Sequence, residues 1–118
     1  MNNTLNHMEE ILDHQICGFH QYVLTSPVHL NYVSNNLCEM LGVGQNALLD
    51  DRTDLYAQMI HPADREKYSD FINRIIVNKQ ALTAEYRLIK KDGTIICVRD
   101  TITPKKLDDG TLIGHSVL

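Results

Sequence analysis

Tryptophan is absent from this chain, phenylalanine appears twice, and cysteine three times, at Cys17, Cys38 and Cys97. The thiols are odd in number, widely spaced and contain no Cys-x-x-Cys, which excludes a secreted disulfide framework and a zinc ribbon. A reducing cytoplasm is the expected setting. Long apolar runs are missing too. None approaches about eighteen residues, and the amino terminus has no basic stretch followed by an apolar one, so membrane spanning and a secretory leader both lack their physical signal. Basic clusters are equally scarce: Lys and Arg total 11 against 15 Asp and Glu, a formal charge of −4. The densest cationic spots are the pairs Lys90-Lys91 and Lys105-Lys106. Displacing counterions from a phosphate backbone needs clustered cations, so no nucleic-acid partner is expected.

What is present suits one α+β domain. At 118 residues with 43% hydrophobic side chains, the chain can bury a core without metals or staples, and residues 1–118 read as one domain. From Thr4 to His14 the apolar residues Leu5, Met8, Ile11 and Leu12 recur at helical spacing, which predicts an amphipathic helix over 1–14 ahead of a core over 16–118. Leu5, Met8 and Leu12 fall at a, d and a of a short heptad pattern. A helix so short needs a docking surface, either a twin in a homodimer or its own sheet.

Two short strands are expected next, Gly18 to Leu24 and His29 to Val33, separated by Ser26-Pro27. Ser34 is placed to cap a helix ending at Gly42, and a mixed stretch from Gln45 to Ile60 predicts one or two helical turns. Pro62, Asp64 and Glu66 suit a helix start, and Tyr68, Phe71, Ile72, Ile75 and Ile76 form one apolar stripe to about Asn78. Leu82, Ala84, Tyr86 and Leu88 alternate with polar residues as a half-buried strand does, ending at Asp92-Gly93, read as a two-residue hairpin turn. A strand from Thr94 to Thr103 stops before Pro104, and after Asp109-Gly110 a last strand follows. Five antiparallel strands with helices inserted between the second and third give the α+β class.

Three ordered segments resemble the PAS domain, a sensory fold whose five-stranded antiparallel sheet cups a pocket covered by short helices and one longer helix. Ile60-His61-Pro62-Ala63-Asp64-Arg65 is similar to the family's pattern at the start of the long helix, and Glu85 to Thr94 to its strand and turn; Tyr32 to Gly42 is similar to its second strand and first helix. Relatives often carry Trp where this chain reads Ile95-Ile96-Cys97-Val98. The resemblance implies a non-enzymatic module that senses a small ligand or mediates dimerisation. It also implies a longer signalling protein, with a histidine kinase or diguanylate cyclase as output.

Catalytic candidates are Cys38, Cys97, His61 and the pair Glu85 and Asp100, none in a recognisable constellation. Cys38 reads as a small buried hydrophobe and His61 as a helix cap. His7 and His14 are seven positions apart, too far to share an ion on one helix, so no metal is expected. Haem-binding relatives use a His in the long helix, which is lacking from Pro62 to Asn78, and the Asn-Cys-Arg-Phe-Leu-Gln signature of the flavin photoreceptors is unmatched at Asn36-Leu37-Cys38. Haem and covalently linked flavin are therefore disfavoured, and the cofactor is left unassigned. A mostly apolar pocket lined by Tyr32, Leu41, Met59, Phe71, Tyr86 and Cys97 is expected for a small molecule. The alternative is a small α+β enzyme using a pocket thiol or carboxylate, Cys97 or Glu85 first, with Glu85 otherwise paired to Arg87.

Overall fold

The computed structural model describes residues 18–118 other than 26 and 51. The helix expected over 1–14, and with it Leu5, Met8 and Leu12, lies outside the described residues. A hairpin opens the fold: β1 (Phe19–Val23) pairs with β2 (His29–Val33). Three short helices follow, α1 (Asn35–Leu41), α2 (Gln45–Leu48) and α3 (Leu55–Met59), then a 3-10 turn (Pro62–Asp64) and the long α4 (Arg65–Asn78). The meander β3 (Leu82–Ile89), β4 (Ile95–Lys106) and β5 (Leu112–Val117) completes a sheet of order β2-β1-β5-β4-β3, every neighbouring pair antiparallel. The expected fold class is the observed one. Among the described residues no helix is long and apolar enough to cross a membrane.

Local chemistry accounts for the joints. Ser34 Oγ accepts from the Leu37 amide at 3.3 Å, capping α1, and from the Phe19 amide at 3.0 Å, tying the helix start to β1. Gly42 closes α1 at φ 78°, a left-handed geometry that costs a residue with a Cβ dearly. His61 caps the next junction, its Nδ1 accepting from Ala63 N at 3.1 Å as expected. Asp64 contributes more than a favourable charge at a helix start. Its carboxylate takes two hydrogen bonds from the Arg87 guanidinium, both 2.9 Å, and a third from the Arg87 amide at 2.8 Å, clamping α4 onto β3. Arg87 thus pairs with Asp64 and not with Glu85.

Phe71, Ile72 and Ile75 of α4 are buried against the sheet's inner face, with Tyr68 and Ile76 at the margin, so the expected stripe does cover the sheet. Removing one such side chain, for example Ile75→Ala, costs about 2–5 kcal/mol in cores of this kind.

Three expectations about the strands change. Both Asp-Gly hairpins use a three-residue loop. Only the glycines have positive φ, Gly93 at 88° and Gly110 at 92°; Lys90 N donates to Thr94 O at 2.8 Å, and Leu107 N to Thr111 O at 2.7 Å. Asp92 and Asp109 instead accept from the amides two residues on, each at 2.9 Å. Next, β4 runs through Pro104 to Lys106. By then it has left β3, whose register ends at Leu82 opposite Ile102, and a proline is tolerated where one side of a strand is unpaired. Finally, β2 slips register between Gln21 and Tyr22 of its partner, so that Leu30 and Val33, three positions apart, both turn inward and Tyr32 turns out.

Candidate functional site

Between the β1–β2 hairpin and helices α3 and α4 lies a cleft of about 290 Å³. One face of α4 forms its long wall: Arg65, Tyr68, Ser69, Ile72 and Asn73 are spaced as i, i+3, i+4, i+7 and i+8. Val28, Ala57 and Ile72 supply apolar surface, Tyr22 and Tyr68 the phenol rings, and His29, Asp54, Arg65, Ser69 and Asn73 a polar rim. Arg65 is fixed by donating from Nε to Ile60 O at 3.1 Å and from Nη2 to Gln58 O at 2.9 Å. His29 Nδ1 lies 2.8 Å from Pro27 O.

The two tyrosines also belong to the interior. Their hydroxyls hydrogen-bond to each other, and the Tyr68 ring packs edge-on to Tyr86 at 5.1 Å. Beyond them runs a buried polar chain. Tyr86 donates to Asp100 Oδ2 at 2.7 Å, and Ser116 donates to Asp100 Oδ1. With its only hydroxyl hydrogen committed there, Tyr86 receives one from Tyr56, 2.5 Å away. The chain thus crosses from α3 through β3 and β4 to β5. His20 of β1 sits beside it, its ring 5.0 Å from that of Tyr22 and 4.9 Å from that of Tyr56. It is fully buried, and neither ring nitrogen has a partner.

Burial decides the charges here. It pushes the Asp100 carboxyl up from 3.8 to about 6, the bonds from Ser116 and Tyr86 only partly offsetting it. Burial likewise holds His20 neutral, lowering it to about 3. The Tyr22, Tyr56 and Tyr86 phenols are pushed far above their ordinary 10, again chiefly by burial. Among the described residues, this interior therefore has one group that titrates near neutral pH, Asp100, compensated by hydroxyls and no cation.

The residues expected to line a pocket are distributed otherwise. Leu41, Met59, Phe71 and Tyr86 are buried in the core, and none lines the cleft. Tyr32 lies on the opposite face of the sheet, its ring 5.6 Å from Phe19, because the irregularity in β2 reverses the alternation that Leu30 starts. Cys97 is also on that outer face and exposed, opposite Arg87, since the inward positions of β4 are Val98, Asp100 and Ile102. Glu85 is exposed there as well. Neither first suspect for a pocket thiol or carboxylate faces the interior; the shifted carboxyl is Asp100. Cys38 is half-buried against the core, and burial raises its thiol. The cleft-facing Arg65, Ser69 and Asn73 and the interior His20 and Ser116 were missed by pattern reading. The helical spacing from Arg65 to Asn73 was the available signal.

Comparison with known proteins bears on this architecture. The PAS fold family model matches residues 30–115. No curated protein matches the chain. Among solved structures, the N-terminal domain of a diguanylate cyclase with PAS/PAC sensor from Marinobacter aquaeolei superposes with a TM-score of 0.70 at 21% identity, covering 85% of this chain and 92% of that one. A PAS domain from Colwellia psychrerythraea gives 0.71 at 15% identity, covering 96% and 94%. A domain of a sensory box sensor histidine kinase/response regulator from Geobacter sulfurreducens gives 0.67 at 18% identity, covering 96% and 92%. At such identities the structural likeness speaks for the fold, and the family match spans most of the chain. The chain belongs to the PAS fold family.

Proposed function

We propose that this chain is a sensory module that admits a small molecule to the cleft between the β1–β2 hairpin and α4 and transmits its occupancy to β5. One observation carries the reading: Tyr22 and Tyr68 line the cleft with their hydroxyls paired, and Tyr68 also packs against a buried hydrogen-bonded chain that ends on β5 at Ser116. A ligand that rearranges the Tyr22–Tyr68 hydroxyl pair perturbs Tyr56, Tyr86 and Asp100 in turn, because buried polar groups do not tolerate losing partners. The output would be of histidine kinase or diguanylate cyclase type, as in the proteins that supply two of the structural neighbours. The module itself positions and relays and does not turn over substrate.

Amide NMR of the labelled chain during a small-molecule screen tests this. Expected are compounds that shift amides around Tyr68 and, with the same dependence on concentration, those of Leu112–Val117. Ligands that move only the α4 amides and leave β5 untouched would remove the relay from the account.

A further inference from the structure

We propose that the cleft selects a small zwitterion, a molecule bearing an ammonium and a carboxylate on one short body with an apolar remainder, as an α-amino acid does. The inference rests on reading the cleft as a ligand site and adds the chemical class of its occupant.

Two opposite charges share this cleft without neutralising each other. Asp54 and Arg65 both line it, yet the ion pairs among the described residues are Arg52–Asp50, Arg74–Asp70 and Arg87–Asp64. Asp54 stands at the N-cap of α3, where an aspartate ordinarily accepts from the first-turn amides, but its side chain makes no such bond. Its backbone is left-handed, φ 47° and ψ 50°. Burial is the main cause that raises the Tyr68 phenol, and the Asp54 carboxylate adds a smaller push in the same direction. Arg65 is oriented by the carbonyls of Gln58 and Ile60, both neutral acceptors, and among the described residues no carboxylate pairs with it.

Each simpler ligand class conflicts with one of these groups. An anion that reaches Arg65 also meets Asp54; a cation that reaches Asp54 also meets Arg65. A neutral apolar occupant strips water from both and replaces it with nothing. A zwitterion satisfies both at once, its ammonium on Asp54 over the Tyr22 and Tyr68 rings and its carboxylate on Arg65. Val28, Ala57 and Ile72 then receive an apolar side chain. A volume of about 290 Å³ lies at the foot of the range of about 300–1,000 Å³ usual for small-molecule sites, which suits a ligand of amino-acid size.

The test is amide NMR titration of the full chain with four probes of similar body: L-leucine, 4-methylpentanoate lacking the ammonium, 3-methylbutylamine lacking the carboxylate, and 3-methylbutan-1-ol lacking both. Expected is saturable movement of amides from Asp54 to Asn73 with leucine, each single-charge probe binding at least about tenfold more weakly. Asp54→Asn, at a position whose side chain caps nothing, is expected to abolish the preference for leucine over 4-methylpentanoate. Arg65→Lys, which keeps the charge and loses the carbonyl bonds that orient it, is expected to weaken leucine and leave 3-methylbutylamine unchanged. Equal binding of leucine and either single-charge probe overturns the proposal. Movement of the same amides by the alcohol but not by leucine also overturns it while leaving the cleft a ligand site. If none of the four probes moves them, the proposal falls, while the cleft reading is decided by the wider small-molecule screen.

Discussion

Two carboxylates hold this molecule together in opposite ways. Asp64, at the seam where α4 meets β3, is compensated by a cation: three hydrogen bonds from Arg87 hold its carboxyl well below the usual carboxylate range. Asp100, inside the sheet, has among the described residues only the neutral donors Tyr86 and Ser116, and burial lifts it to about 6. The seam is a fastening, stable wherever both partners are charged. The interior is a strained arrangement, since an ionised carboxylate among four tyrosines and a neutral histidine lacks a counter-charge. Strain of that kind is what a ligand or a proton can exploit, and it lies on the side of the sheet that meets the cleft.

The contrast is sharpest in pH. Below about 6 the folded chain holds the Asp100 proton, whereas the unfolded chain releases it near 3.8. The folded state therefore binds more protons between these values, and its stability falls as pH rises from about 4 to about 6. The expected loss is on the order of 3 kcal/mol, read from denaturant midpoints across pH. Asp100→Asn should flatten that limb and be the more stable chain at pH 7. Asp64 acts with the opposite sign: its contribution is present above about 4 and disappears as pH falls further, since the folded group stays ionised where the unfolded one takes a proton.

Breaking the interior chain at its middle comes next in size. Tyr86→Phe leaves Tyr56 without an acceptor and Asp100 with one donor, a cost of about 2 kcal/mol, and should drive the Asp100 midpoint above its wild-type value. At the seam, Asp64→Asn should lower the melting temperature less than Tyr86→Phe does. Added salt should shrink the difference between Asp64→Asn and wild type and leave the effect of Tyr86→Phe nearly unchanged, because the partly exposed ion pair is screened and the buried hydroxyl chain is not. The smallest effect concerns the two faces of the sheet. In a Cys17→Ser background a water-soluble disulfide reagent should modify the exposed Cys97 faster than Cys38, whose thiol is half-buried and raised.

Most of the frame was legible in the sequence because it rests on short-range rules. The apolar stripe of α4, the Ser34 cap, the His61-Pro62 junction and the alternation of β3 all lie where spacing alone puts them. The site was less legible, for definite reasons. Strict alternation from Leu30 carries Tyr32 inward, and the bulge that reverses it leaves no mark in residue type. The run Ile95-Ile96-Cys97-Val98 is apolar at both parities, so the phase of β4, and with it the direction of Cys97, could not be read. Asp100 was noticed only as half of a pair with Glu85, because a buried carboxylate looks like any other until its hydroxyl partners, from strands sixteen or fewer positions away, are brought beside it. The role of α4 as a cleft wall was hidden by its role as a core helix, since Tyr68 and Ile72 serve both.

Behind the cleft tyrosines lies a buried carboxylate that, among the described residues, has no cation beside it. Carbon-detected NMR titration of the Asp100 side chain reads this directly. A midpoint near 6, moving upward in Tyr86→Phe, is the expected result. A midpoint at or below the ordinary 3.8 would mean that the group is solvated or paired with a cation, and would contradict the interior described above.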